Sequence, residues 1–148
     1  MKNQYTLGNL IITAPGPWKD ITDPVEGSDV PFTLAKDDGT GALQFSVATY
    51  KSGKIPNVSL QDLDELRIDF AEKKQLGKAF AEVNPEGILR VSGGSYQTTQ
   101  SFVRVWYCSD GKNIALITCL ADKGKEDGEP GECDAIVSVI RFRQAETL

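Results

Sequence analysis

The sequence predicts an α+β fold in which an antiparallel β-sheet is flanked by helices. Three observations predict it: short β-branched runs set off by Gly-, Pro- and Asp-bearing turns, an amphipathic helical segment after Ser59, and an Asp110-Gly111 pair between two β-rich runs. The 148 residues suit a single domain over 1–148, and a content of 40% hydrophobic and 25% charged residues matches ordinary globular chains.

Residues 7–13 form a β-branched run that stops at Ala14-Pro15-Gly16-Pro17, because the two prolines lack the N–H that a central strand would donate. Residues 18–22 make a short apolar-polar segment ended by Asp23-Pro24, and residues 31–36 resume an extended pattern. After the tight connection Asp37-Asp38-Gly39-Thr40-Gly41, residues 42–50 alternate as a half-buried strand does, with Leu43, Phe45 and Val47 on one face and Gln44 and Ser46 on the other. The first half therefore reads as a β-meander.

The helix is expected to begin at Ser59, where Asp62 stands three residues on as in a capping box, and Leu63, Leu66 and Phe70 share one face. Asp62, Asp64 and Glu65 near its start, with Lys73, Lys74 and Lys78 near its end, suit the helix dipole, and Gly77 is the expected stop. Two short segments follow, 79–83 and 88–92, split by Asn84-Pro85-Glu86-Gly87. Gly93-Gly94 then reads as a turn.

Residues 97–108 and 112–120 flank Asp110-Gly111, the chemistry of a two-residue hairpin. That turn would set Ser109 against Lys112, Phe102 against Cys119 and Cys108 against Asn113, and Gly111→Val would strain it. Both hairpin faces are partly apolar, Phe102 and Trp106 on one, Val103, Val105 and Tyr107 on the other, so a helix is expected over at least one. After a Gly-, Lys- and acid-rich loop, Cys133, Ile136, Val137 and Ile140 recur at helical spacing and predict a closing helix in spite of their β-branched content.

Composition narrows the function. The chain has no histidine, which removes Ser-His-Asp and Cys-His catalysis and His-ligated zinc. Sixteen Lys and Arg against twenty-one Asp and Glu give a formal charge of -5, which argues against a nucleic-acid surface or a polybasic membrane patch and favours a basic partner. The apolar stretches at 114–120 and 135–140 fall well short of the ~20 residues that span a bilayer, so no membrane insertion is expected. Gly8 and Asn9 interrupt the run at 7–12, which makes it no secretion signal, and the expected location is cytoplasmic.

Three cysteines, Cys108, Cys119 and Cys133, lack C-x-x-C spacing and are expected as reduced, buried thiols. Cys119 ends a strand and Cys133 begins the closing helix, so the return of the chain over the sheet can bring these two within bonding reach. Residues 122–132 lack the ligand order of a calcium loop, and Gly39-Thr40-Gly41 and Val91-Ser92-Gly93-Gly94-Ser95 lack that of a phosphate loop. No metal, cofactor or catalytic residue is expected. The candidates for partner contact are Trp18, Trp106 and the acids Asp122, Glu126, Asp127 and Glu129. For the acids the alternative is a solvated loop; for the two indoles core packing is the stronger expectation.

Taken together, the strand leading into Leu10-Ile11-Ile12-Thr13-Ala14-Pro15-Gly16-Pro17-Trp18-Lys19-Asp20, the middle helix, the long hairpin and the closing Asp134-Ala135-Ile136-Val137-Ser138-Val139-Ile140-Arg141-Phe142 resemble the PsbP/DcrB-like superfamily. Its P-x-x-W pattern is matched by Pro15 and Trp18, and residues 135–142 have the flavour of its closing I-x-x-S-I/V-R-F without matching its spacing. The resemblance covers nearly the whole chain and implies an α/β/α sandwich. It also implies binding or assembly in place of catalysis, since the superfamily includes photosystem accessory subunits, a Ran-binding nuclear protein, bacterial lipoproteins and chaperones of type VI secretion effectors. Neither the lipobox of the lipoproteins nor the transit peptide of the chloroplast members is expected here. The expected function is that of a non-enzymatic bacterial interaction protein, an immunity protein or a chaperone for a secreted toxin or effector. The alternative is a small-ligand-binding protein or an uncharacterised enzyme with a groove between sheet and helix.

Overall fold

Tyr5 in β1 (Lys2–Leu7) pairs with Ile12 in β2 (Leu10–Pro15), so the chain opens with an antiparallel hairpin whose inward side chains are Leu10, Ile12 and Ala14. The structure is a computed structural model and describes residues 2–7, 10–16, 18–21, 32–36, 42–49, 60–77, 81–82, 89–98, 101–110, 113–122 and 129–142. The other elements are β3 (Trp18–Asp20), β4 (Phe32–Lys36), β5 (Ala42–Thr49), α1 (Leu60–Lys73), β6 (Ala81–Glu82), β7 (Arg90–Gln97), β8 (Ser101–Ser109), β9 (Asn113–Asp122), α2 (Glu129–Ser138) and β10 (Arg141–Phe142). A large antiparallel sheet runs β3-β4-β5-β9-β8-β7-β6, and a small one runs β1-β2-β10.

Period-2 alternation assigns the two faces of the large sheet. On one face Val105 and Tyr96 are buried beside Ala71 of α1, with Val103, Tyr107 and Leu116 packed around them. On the other, Phe45, Trp106, Cys108, Ala115, Ile117 and Cys119 meet Cys133, Ile136 and Val137 of α2 and Leu10 and Ile12 of the small sheet. The layers are α1, the large sheet, then α2 together with the small sheet. This is an α+β sandwich with a helix on each side, as the sequence predicts, and β10 of the small sheet follows directly on α2.

Five details differ from the sequence reading. β1 precedes the expected first strand, and its pairing of Leu7 with Leu10 leaves Gly8-Asn9 as the connection. Gly93 and Gly94 sit inside β7, paired with Trp106 and Val105; paired residues share a face, so the residue beside the Trp106 indole carries no side chain. The expected run 97–108 breaks after Gln97, which pairs with Phe102.

The β8–β9 register is shifted by two. Ser109 pairs with Ile114 and Phe102 with Ala121, because Asp110 accepts hydrogen bonds from Asn113 N at 2.8 Å and Nδ2 at 3.1 Å and so builds a longer turn. A shift of two preserves the faces, so the expected separation of Cys108 from Cys119 holds. Gly111, the expected turn glycine, and Ser59, the expected helix cap, lie outside the described residues.

Finally, α1 does not stop at Gly77. Gln75 takes φ 56°, its N–H donates to Glu72 O at 3.1 Å, and Leu76 N donates to Ala71 O at 2.9 Å, which together make a Schellman stop. Gly77 adds a second left-handed residue, φ 78°. The expected closing helix is present as α2, with Pro130 in its first turn, where its missing N–H breaks no helical bond.

Candidate functional site

The face that α1 turns outward follows from the face it buries. Its buried positions are Leu63, Arg67 and Ala71, spaced by four, and not the expected set Leu63, Leu66 and Phe70. Leu66 is 36% exposed and Phe70 half-buried, edge-on to Tyr107 with ring centroids 6.3 Å apart. What rotates the helix is Arg67, 4% exposed and set between α1 and β7. Its Nε donates to Ser92 Oγ at 3.1 Å and its Nη1 to Tyr96 OH at 2.8 Å. Ser92 Oγ in turn donates to Asp64 Oδ1, which stands 3.8 Å from Arg67 Nη2. A buried guanidinium persists only when its charge is paired and its N–H groups are satisfied, and these partners supply both.

With Arg67 pinned, at 100° per residue the far side of α1 carries Asp62, Glu65, Asp69 and Glu72, all exposed and spaced three, four and three. Ile68, 52% exposed, lies alongside this stripe, three residues after Glu65 and four before Glu72. Lys73 Nζ pairs with Asp69 at 2.9 Å, and that hydrogen bond holds the ammonium pKa above its usual value. Tyr107 lies beneath, its phenol pKa raised by burial first and by the Asp69 charge second. The result is an acidic helix face with an exposed aliphatic side chain alongside it. Sequence reasoning read Asp62 as a capping-box residue and both Asp62 and Glu65 as dipole partners; the signal it passed over was the 3-4-3 spacing that continues through Asp69 and Glu72.

The other sequence candidates are placed differently. Trp18 is 1% exposed and Trp106 is fully buried, and both belong to the core cluster under α2, the packing role the sequence favours for them. Trp106 Nε1 donates to Asp134 Oδ1 at 3.1 Å, and Arg104 Nη1 donates to Asp134 Oδ2 at 2.6 Å, so one carboxylate on α2 ties the helix to β8. Arg104 Nε also donates to Ser95 Oγ at 2.9 Å, which extends the tie to β7. Of the acids, Asp122 closes β9 and Glu129 opens α2, at the two ends of the same connection, with side chains outside those described; Glu126 and Asp127 lie outside the described residues. No group of His, Cys, Asp and Glu side chains able to hold a metal occurs among the described residues, and no helix among them is long and apolar enough to cross a membrane.

No protein-family model and no curated protein matches the chain. Solved structures do. The solution structure of cyanobacterial PsbP (CyanoP) from Synechocystis superposes with a TM-score of 0.66 at 10% identity, covering 95% of this chain and 92% of that one. A crystal structure from Bacteroides thetaiotaomicron superposes with a TM-score of 0.59 at 18% identity, covering 92% of this chain. It is the longer protein, and this chain spans 46% of its length. The order of strands, the helix on each face of the sheet and these superpositions together give the chain a PsbP-like α+β fold.

Proposed function

We propose that the chain is a non-catalytic, cytoplasmic protein-binding domain whose partner is basic, and that it serves a secreted toxin or effector as immunity protein or chaperone. The observation that carries this reading is the outward face of α1. Asp62, Glu65, Asp69 and Glu72 recur there at i,i+3 and i,i+4 spacing, with Lys73 paired to Asp69 at one end, and a row of exposed acids of this kind gives the helix a contact face of negative sign. Ile68 beside them adds an exposed apolar contact to the charged ones, as protein interfaces combine the two. The formal charge of -5 steers a basic partner toward it and speeds encounter.

Co-expression with the product of the adjacent gene tests the reading. A complex that survives gel filtration and dissociates as salt is raised supports it. Growth rescue of cells expressing that product identifies an immunity protein, and a gain in its soluble yield identifies a chaperone. A chain that elutes alone at every salt concentration contradicts the proposal.

A further inference from the structure

Cys133 Sγ of α2 lies 3.2 Å from Cys119 Sγ of β9, both side chains buried, in a protein with just three cysteines. We propose that Cys119 and Cys133 are an oxidation site: a disulfide between them, formed by exchange with a small-molecule disulfide such as oxidised glutathione, staples α2 to the large sheet.

The placement is a consequence of the fold. Cys119 alternates with Ala115 and Ile117 on the face of β9 that α2 covers, and Cys133 shares the buried face of α2 with Ile136 and Val137. The sulfurs need to close by only about 1.2 Å to reach the ~2.05 Å of a disulfide bond. Cys108 stands apart. On β8 it pairs with Val91 and Ala115, away from the Cys119 position four residues further along β9, and burial pushes its thiol far above the ordinary range in the folded protein.

The exchange balances in two steps. One cysteine loses its proton to solvent, and its thiolate attacks a sulfur of oxidised glutathione, forming a mixed disulfide and releasing one glutathione thiolate, which takes up a proton. The second cysteine, likewise deprotonated, attacks the protein sulfur of that mixed disulfide. The protein disulfide forms and the second glutathione leaves as a thiol, so two protein thiols are oxidised and one glutathione disulfide is reduced. Cys119 is 1% exposed and Cys133 fully buried, so the oxidant reaches them only in the folding chain or when α2 lifts from the sheet. The folded, reduced protein is therefore slow to oxidise, and the refolding protein is fast.

The bond also acts on its neighbourhood. Asp134, next in sequence, holds Arg104 and Trp106, so fixing Cys133 fixes that carboxylate as well.

The test is refolding of the full-length chain from denaturant in a mixture of reduced and oxidised glutathione, followed by alkylation and peptide mapping. The expected product is a linked pair of peptides carrying Cys119 and Cys133, lighter by two hydrogen atoms, with Cys108 still alkylatable. Closing a 15-residue loop raises Tm over the reduced protein by about 6–12 °C. Cys108→Ser leaves bond and shift intact. Three alkylatable thiols in a folded, oxidatively refolded sample, or a link through Cys108, overturns the proposal; wild-type protein alone decides between these outcomes, whether or not Cys108→Ser folds.

Discussion

Asp134 and Arg104 form an ion pair across the interface between α2 and the large sheet, with Oδ2 2.6 Å from Nη1. The same carboxylate accepts the indole N–H of the buried Trp106, so one side chain satisfies two groups of β8 that α2 would otherwise strand. Asp134→Ala removes both contacts and is expected to destabilise the protein by about 2 kcal/mol, which urea denaturation reads directly. A loss within experimental error would mean that water serves Arg104 and Trp106 equally well.

The pH dependence of that contact has a definite sign. Burial raises the Asp134 pKa above its usual 3.8, and Arg104 and the Trp106 N–H lower it again only in part. The folded protein therefore holds this proton more tightly than the unfolded chain. The contribution of Asp134 to stability is full below pH 3.8 and declines as pH rises through the raised folded value. Asp134→Asn has no such step. Denaturation of both proteins across acidic to neutral pH should show the wild type losing stability relative to the Asn variant as pH rises above 3.8. A difference that grows in favour of the wild type instead would mean that the Arg104 charge outweighs burial.

Arg67 is the pin of α1, and its bond to Tyr96 can be isolated. Tyr96→Phe deletes the hydroxyl that accepts from Arg67 Nη1 within a buried network and is expected to cost about 1–2 kcal/mol. In an Arg67→Met background the same substitution should cost almost nothing, because the donor is gone. Equal costs in both backgrounds would show that the hydroxyl is stabilised by something other than Arg67.

At the end of α1, Gln75 occupies a left-handed conformation that glycine adopts without a Cβ penalty. Gln75→Gly is therefore expected to stabilise the protein by roughly 0.5–1 kcal/mol, seen as a higher midpoint in thermal melts. A lower midpoint would show that the Schellman stop is not the native one.

What the sequence made legible follows from where local physics suffices. The inward placement of Leu43 and Phe45, the closing helix through Cys133, Ile136 and Val137, and the approach of Cys119 to Cys133 rest on periodicity and chain direction, and tertiary contacts agree with them. The errors arose where a local rule met a longer-range competitor. Asp110-Gly111 suggests a two-residue turn, but the Asp110 carboxylate captures Asn113 and lengthens it. Gly93-Gly94 suggests a break, but both pair within the sheet, Gly93 opposite Trp106 and Gly94 opposite Val105 on the next strand. Nothing local marks Arg67 for burial, since charge alone predicts exposure and its partners Ser92 and Tyr96 lie 25 and 29 residues away. Taking Leu63, Leu66 and Phe70 as the buried face turned the helix and hid the acidic stripe, since a face can be recognised only once its opposite is known.

Docking of a basic partner on the outward face of α1 is read most directly in the association rate and affinity of the adjacent gene's product for wild-type protein and for Glu65→Lys/Glu72→Lys, at low and high salt. The double variant is expected to bind about tenfold more weakly, most of it in the association rate, with the salt dependence largely gone and thermal stability equal or higher because like-charge pairs on α1 have been relieved. Unchanged rate, affinity and salt dependence in a folded double variant would contradict it.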